Sequence, residues 1–522
     1  MRLFRLGSLP ILSIFLTMLA HGQPVAAPSA KPKLVLLIAI DQFRYDYLPR
    51  FRNEYTGGLK TLVERGASFV NANLEHYPTV TAVGHSTMLS GATPAISGII
   101  GNDWYDRESG KQVTSVSDEG TKLLGGPDRS GSSPRRLLVS TVGDEIKRSG
   151  AGGSKVIGLS LKDRSAILPA GRMADGAYWF DDAKGAFVSS TWYFPQLPAW
   201  AQEFNARQET QRFAGKVWLA AKPGQNERRI PSEPGPKLNA SVAGSPYGND
   251  LVESFAEQAI ASERLGLRGT TDLLTVSFSS NDLVGHTFGP DSPEAHEISL
   301  TVDKTIGRLF ASIEKSIGMK NVLVILTADH GVSPTPELLA QQRMPGGRIK
   351  GNPFEPIQQA LESRFGAGQW ILSTAGSSPY LNYDLIQAKK LDPDEVIKIA
   401  ARAIARAPHV MRVYTREQLI SSRAAADVID TRVMRSFCAE RSGDLEVVLE
   451  PYWIRGGTSG ATHGTPYNYD THIPLIFMGP GVRPGRYYRS AALNDLAPTL
   501  SALLDVEIPS GSVGRVLDEI IH

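Results

Sequence analysis

Six residues able to bind a divalent cation stand at the ends of apolar runs in this sequence or in a glycine-rich loop. Asp41 closes residues 34–40 (LVLLIAI), Asp282 and His286 follow 272–278 (DLLTVSF), and Asp329 and His330 follow 321–327 (NVLVILT). His463 lies in residues 456–466 (GGTSGATHGTP). Such unbroken apolar runs predict strands buried on both faces. In open α/β sheets, ligands gather beyond the carboxyl ends of strands. Aspartate and histidine with so little cysteine is the ligand vocabulary of zinc in a hydrolytic site. Packing Asp41, Asp282 and Asp329 together without cations would raise their pKa values strongly, so bound metal explains the cluster better than salt bridges do.

A second candidate lies in residues 76–102 (HYPTVTAVGHSTMLSGATPAISGIIGN). Small and apolar residues at helical spacing run from Ala82 to Leu89, and Gly91 follows where a helix would end. Thr79 or Thr81 then sits at the helix N-terminus, where unpaired N–H groups and the dipole favour an anion. A threonine there can equally be a structural cap. His85 shares a helical face with Thr81 and reads as a supporting or packing histidine rather than a ligand. Residues 155–161 (KVIGLSL) predict a further buried strand running into Lys162-Asp163-Arg164. At a strand end, Lys162 and Arg164 would share a face; a solvated charge cluster is the plain alternative. His76, His296, His409 and His472 have no partner motif.

The elements that must position these residues form an α/β pattern. Helices are expected over 57–66, 137–149, 294–317 and 495–504, and further strands over 67–73, 445–449 and 474–478. Regularity loosens over 165–270, apart from a hairpin over 177–192 and a helix over 197–213. It loosens again over 334–444, with helices near 355–365 and 394–406. Both stretches read as insertions capping the site, so residues 23–522 are expected to form one catalytic domain. Composition agrees, with 41% hydrophobic and 21% charged residues typical of a globular chain.

Arg2 and Arg5 precede the apolar run 9–19, and Ala20-His21-Gly22 supplies small residues at a cleavage-site spacing. Residues 1–22 are therefore read as a secretory signal peptide. No later segment has ~18 uninterrupted apolar residues, and no cysteine follows the small residues, so no stable membrane anchor is expected. Removing Arg2 and Arg5 leaves 53 basic against 53 acidic residues, a balance with no attraction for nucleic acid. Cys438 is the only cysteine. It excludes a disulfide within the chain and reads as a buried small hydrophobe.

Taken in order, Asp41 after a strand, Pro78-Thr79-Val80-Thr81, Asp282-Leu283-Val284-Gly285-His286, Ala328-Asp329-His330-Gly331 and Thr462-His463-Gly464 resemble the alkaline phosphatase superfamily. The branch is that of the nucleotide pyrophosphatase/phosphodiesterases, and the similarity is greatest to threonine-nucleophile, phosphate-irrepressible phosphatases of flavobacterial type. The resemblance implies a central, mostly parallel sheet flanked by helices on both faces. It implies two zinc ions, one held by Asp282, His286 and His463, the other by Asp41, Asp329, His330 and the oxygen of Thr81. Thr81 rather than Thr79 is then the nucleophile, and Asn102 binds a phosphoryl oxygen. Lys162 and Arg164 match a Lys-x-Arg pair found in the monoesterases and generally lacking in the diesterases.

The implied activity is a periplasmic or secreted alkaline phosphatase, expected to be a monomer. It would cleave small phosphate monoesters to inorganic phosphate, as suits phosphate acquisition. A phosphodiesterase or nucleotide pyrophosphatase on the same two-zinc site is the alternative. A sulfatase would need a Cys/Ser-x-Pro-x-Arg motif, which the residues after Thr81 do not match.

Overall fold

The first apolar run forms strand β1 (Leu34–Ile40), and every residue of it is buried. A strand with no face left to solvent needs cover on both sides and a partner at each edge. β1 pairs in parallel with β8 (Asp272–Phe278) and with β9 (Val322–Thr327). On the far side of β8 follow β5 (Val156–Ser160) and β6 (Gly176–Asp181), both parallel again. This structure is a computed structural model and describes residues 31–149, 153–222, 226–375, 378–421 and 425–522. The expected signal peptide, residues 1–22, lies outside the described residues.

The parallel strands are the centre of an eleven-stranded sheet. One flank continues through β10 (Leu475–Met478), β2 (Ala67–Phe69) and β11 (Gly485–Tyr487); the other through β7 (Ala186–Ser190), β3 (Ser117–Leu124) and β4 (Ser130–Ser132). The mostly parallel α/β architecture expected from the sequence is thus present. Register makes the site. Ile40 sits opposite Phe278, and Ala39 opposite Thr327, so β1, β8 and β9 end at one level. Asp41, Ser279 and Ala328 follow directly, and the Asp41 backbone N–H still donates to Phe278 O at 3.0 Å.

Four helices serve the site. α1 (Thr81–Ser90) and α2 (Asp163–Ala170) pack against each other, while α3 (Ser280–Phe288) leads into α4 (Pro293–Ser316). α1 begins after the extended Val80 and stops at Gly91, whose φ of 66° suits glycine. Its residues are all buried, as the small and apolar sequence requires.

The structure differs from the sequence expectations at several places. Residues 137–149 are α-helical only from Val142, and 197–213 divides into Ala199–Ala206 and Glu209–Phe213. Residues 67–73 split into β2 and a separate short strand, Ala72–Asn73. Leu445–Leu449 leaves the central sheet and pairs with Val410–Thr415. That pair and the helices Glu355–Phe365 and Pro393–Ile404 enclose their own apolar cluster, which includes Trp370, Ile397 and Val447. Within 165–270 the hairpin β6–β7 extends the main sheet. Finally, the strand before Lys162 ends at Ser160, so Lys162 is the N-cap of α2 and Arg164 lies in its first turn. Among the described residues no helix is long and apolar enough to cross a membrane, and Cys438 is buried.

Gly84 lets α1 touch the end of β9. A Cβ there would lie 2.4 Å from the Asp329 backbone oxygen and 2.6 Å from its Cβ. Helix propensity alone would make alanine better by ~1 kcal/mol, but a clash with backbone has no cheap escape. Gly84→Ala should therefore lower the melting temperature and, by moving α1 against Asp329, cut kcat/KM by about 100-fold or more. Wild-type kinetics in this variant would show that the contact is not needed.

Candidate active site

The six residues predicted at strand ends and in the glycine-rich loop meet in one place, as two triangles. In the first, His286 Nε2 lies 3.2 Å and His463 Nε2 3.6 Å from Asp282 Oδ1, and the two nitrogens are 3.2 Å apart. In the second, His330 Nε2 lies 3.5 Å from Asp41 Oδ1 and 3.4 Å from Asp329 Oδ2. Donors about 2.0–2.1 Å from a tetrahedral cation stand about 3.3–3.4 Å from one another, so both triangles have the right edge. Asp282, His330 and His463 also come within 4.8 Å of one another, which puts His330 at the junction of the two groups.

Ring orientation supports the same reading. His286 Nδ1 faces Ala461 O at 2.9 Å, His330 Nδ1 faces Gly331 O at 2.9 Å, and His463 Nδ1 faces Thr79 O at 2.8 Å. A carbonyl only accepts, so each Nδ1 carries the proton and each Nε2 turns a lone pair inward. Asp41 Oδ1, Asp329 Oδ2 and His330 Nε2 are buried without a hydrogen-bond partner. Buried polar atoms pay heavily for such isolation, and a shared cation satisfies all three. The donor set fits a divalent metal.

Electrostatics separates the groups. Burial, then the neighbouring Asp329, pushes the Asp41 carboxyl well above its usual range. At Asp282 burial acts the same way, but Lys162 and His286 outweigh it and hold the carboxyl well below. At Asp329 burial is outweighed by His330 and His85, so it too is lowered. Burial keeps His330 and His463 below the usual histidine value, which leaves them neutral. Lys162 Nζ lies 2.6 Å from both Asp41 Oδ2 and Asp282 Oδ2, and so joins the two groups. Arg164 follows on the same helix end, with its Nε buried and unpartnered. Two cations at the positive end of a helix repel one another and the dipole; an anion seated there relieves all three.

The threonines divide their work. Thr79 Oγ1 donates to Thr465 O at 2.9 Å, so its hydroxyl is structural. The cap position of α1 belongs to Val80, and the exposed N–H of Ala82 is taken by Asn102 Oδ1 at 2.9 Å. Asn102 thus caps α1 in place of a threonine, which fixes its amide beside Thr81 and leaves both N–H bonds of Nδ2 for other acceptors. The Thr81 hydroxyl makes no hydrogen bond among the described residues.

Three supporting residues escaped or nearly escaped the sequence. Gln42, at φ 63°, donates its backbone N–H to Asp329 Oδ1 at 3.1 Å and its amide to Asp282 Oδ1 at 2.6 Å. His85 Nδ1 lies 2.9 Å from Thr81 O and 3.3 Å from Asp329 Oδ2, with Nε2 2.8 Å from Ser277 Oγ; it supports Asp329 without joining either triangle. Asp470 has no motif around it. Its Oδ2 accepts from Thr465 N at 2.8 Å and Thr465 Oγ1 at 2.7 Å, while its backbone oxygen accepts from Gly331 N at 2.7 Å. It therefore ties the His463 loop to the His330 loop.

Burial pushes the Asp470 carboxyl from 3.8 up to about 7. A raised folded pKa means stability that is complete below the unfolded value and is lost as pH rises through the folded one. Asp470→Asn imitates the protonated acid, so its melting temperature should gain on the wild type as pH rises from about 5 to about 8. Parallel melting curves across that window would show an Asp470 that is ionised throughout.

Comparison with known proteins follows the same motifs. The family described as type I phosphodiesterase / nucleotide pyrophosphatase matches residues 35–472. The chain is 36% identical to alkaline phosphatase PhoV of Synechococcus elongatus, covering 96% of each. It is 34% identical to alkaline phosphatase PafA of Elizabethkingia meningoseptica, covering 94% of this chain and 95% of that one. The crystal structure of wild-type PafA superposes with a TM-score of 0.88 at 33% identity, over 94% of this chain and 99% of that one. A PafA variant with a threonine, an asparagine, a lysine and an arginine replaced superposes equally well, at 0.88. With its motifs, its fold and its full-length relatives in agreement, this chain belongs to the type I phosphodiesterase/nucleotide pyrophosphatase family of the alkaline phosphatase superfamily.

Proposed function

We propose that this protein is an exported alkaline phosphatase that hydrolyses phosphate monoesters through a phosphothreonine at Thr81. The observation that carries the proposal is the pair Lys162 and Arg164 at the N-terminus of α2, with Lys162 2.6 Å from a carboxylate of each triangle. Asp282, His286 and His463 would hold one zinc ion; Asp41, Asp329, His330 and the Thr81 oxygen would hold the other. Bound there, the ions would supply Lewis acidity that eases ionisation of a hydroxyl and neutralises a leaving oxygen. Two divalent charges offset three carboxylates and a threonine alkoxide, so the centre is about neutral. A monoester dianion then calls for two further cations, which Lys162 and Arg164 are. A diester monoanion calls for fewer, and its second substituent would meet those side chains.

In the first step Thr81 Oγ, having released its proton to solvent, attacks phosphorus in line as the bond to the leaving oxygen breaks, and the departing alkoxide takes up a proton from solvent. Asn102, Lys162 and Arg164 hold the equatorial oxygens, where transition-state charge lies. Water then attacks the phosphothreonine from the opposite face, breaks the Oγ–P bond and releases inorganic phosphate. Gln42 and His85 hold the carboxylates of Asp282 and Asp329 throughout. The names of PhoV and PafA support a phosphatase, and the residue types replaced in the PafA variant are those of Thr81, Asn102, Lys162 and Arg164. The family description favours a second reading, cleavage of diesters or nucleotide pyrophosphates on the same centre. Export rests on the signal-like residues 1–22, and a periplasmic or secreted monomer acting on small phosphate esters is the form proposed.

Steady-state kcat/KM on an aryl phosphate and on its methyl diester should favour the monoester. Lys162→Ala/Arg164→Ala should lower the monoester value by about 100-fold or more while changing the diester value by less than about tenfold. A wild type that prefers the diester would give the second reading priority. Thr81→Ala should lose turnover yet retain two equivalents of zinc by elemental analysis. Asp41→Ala and His463→Ala should each lose about one equivalent, and full retention in either would remove that residue from the ligand set.

A further inference from the structure

A cavity of about 290 Å³ adjoins the site, with Asn102 and His463 in its wall. Neither Lys162 nor Arg164 lines it, so it opens away from the cationic pair. Four aromatic side chains give it a distinctive surface: Tyr77 and Trp104, and Tyr380 and Trp453 from the inserted module, to which Leu445–Leu449 and Trp453–Arg455 belong by pairing with Val410–Thr415 and Gly347–Ile349. Three of these rings are braced by a charged or aromatic neighbour. Trp104 carries the guanidinium of Arg441 at 5.3 Å and Tyr380 that of Arg107 at 5.0 Å, while Trp453 stacks on His409 with centroids 3.2 Å apart. Rings fixed in this way keep a wall open instead of collapsing into it.

On the proposed function, Thr81 belongs to the Asp41 group and attacks in line, so the leaving oxygen would face the Asp282–His286–His463 group while Lys162 and Arg164 grip the phosphoryl oxygens. The organic part of the ester can then extend into this cavity, whose wall includes His463 and Asn102. We infer that the cavity is a leaving-group subsite for phosphate monoesters whose alcohol carries a flat aromatic ring. Ring-on-ring contact and apolar burial would supply the selectivity. The inserted module, through Tyr380, Leu449 and Trp453, would thereby select the substrate, while the strand ends perform the chemistry.

The test compares 2-phenylethyl phosphate with propyl phosphate. Both release primary alkoxides, so a difference in kcat/KM reports on the ring and not on leaving-group basicity. Wild type should favour the aromatic ester by about tenfold or more. Leu449→Trp, which fills the cavity from its wall, should remove that preference and leave propyl phosphate within about twofold. Trp453→Ala should weaken the preference without affecting propyl phosphate. Equal wild-type rates on the two esters, or equal losses on both in Leu449→Trp, would overturn the subsite while leaving the phosphatase intact. A wild type that cleaves neither ester but cleaves diesters would instead overturn the activity on which the subsite rests. A phenyl phosphate arm separates a directly attached ring from a tethered one. If the subsite takes the ring in either position, Leu449→Trp lowers phenyl phosphate turnover as well. If only the tethered ester responds, the ring binds at the far end of the cavity.

Discussion

Three carboxylates held out of water within reach of one another cannot all carry charge unless cations come between them. Asp41, Asp282 and Asp329 are in that position because β1, β8 and β9 are in register and stop together. Much of the surrounding structure answers this constraint. Lys162 bridges two of the carboxylates, Gln42 donates to Asp282 and Asp329, His85 lies beside Asp329, and three histidines face inward with their other nitrogens tied to backbone carbonyls. The remaining orphan oxygens, Asp41 Oδ1 and Asp329 Oδ2, lie where a bound cation would complete the balance.

The parallel core was legible because it is chemically simple. Runs such as Leu34–Ile40 and Val322–Thr327 contain no residue that could face water, so period and length decided them. The edges were harder. Gly176–Asp181 and Ala186–Ser190 carry mixed sequence and were visible as a hairpin, but nothing local says that the hairpin adds to the central sheet. Leu445–Leu449 has the composition of a core strand and the partner of a peripheral one. Apolar sequence states that a strand is covered without stating by what. Lys162 and Arg164 show the opposite limit: their chemistry was evident, while the strand, expected to run to Leu161, ends one residue earlier at Ser160.

The six proposed ligands were legible because each stands just beyond a strand end or in a glycine loop, within a short motif. Asp470 was not, since its importance comes from joining Thr465, nearby in its own loop, to Gly331, far away in sequence. Gln42 gave no signal either. Its left-handed backbone conformation, unusual for a non-glycine residue, accompanies hydrogen bonds from its backbone N–H and its amide to two carboxylates. Asn102 was identified for its amide, yet its first task, capping α1 at Ala82, required the fold to become visible. Residues proposed to touch substrate left a trace in motifs, whereas those that brace them left a trace only in geometry.

Cys438 is the only thiol and it is buried, so this large chain holds no covalent tie between distant segments. Divalent ions would be its sole cross-links, and they would join positions as far apart as Asp41 and His330, or Asp282 and His463. Closing loops of that length removes much freedom from the unfolded chain. Ligation only by the folded chain also draws the folding equilibrium forward with rising free-ion activity. The molecule's durability outside a cell would then be set by the trace-metal content of its surroundings, with oxidants and reductants largely irrelevant to it.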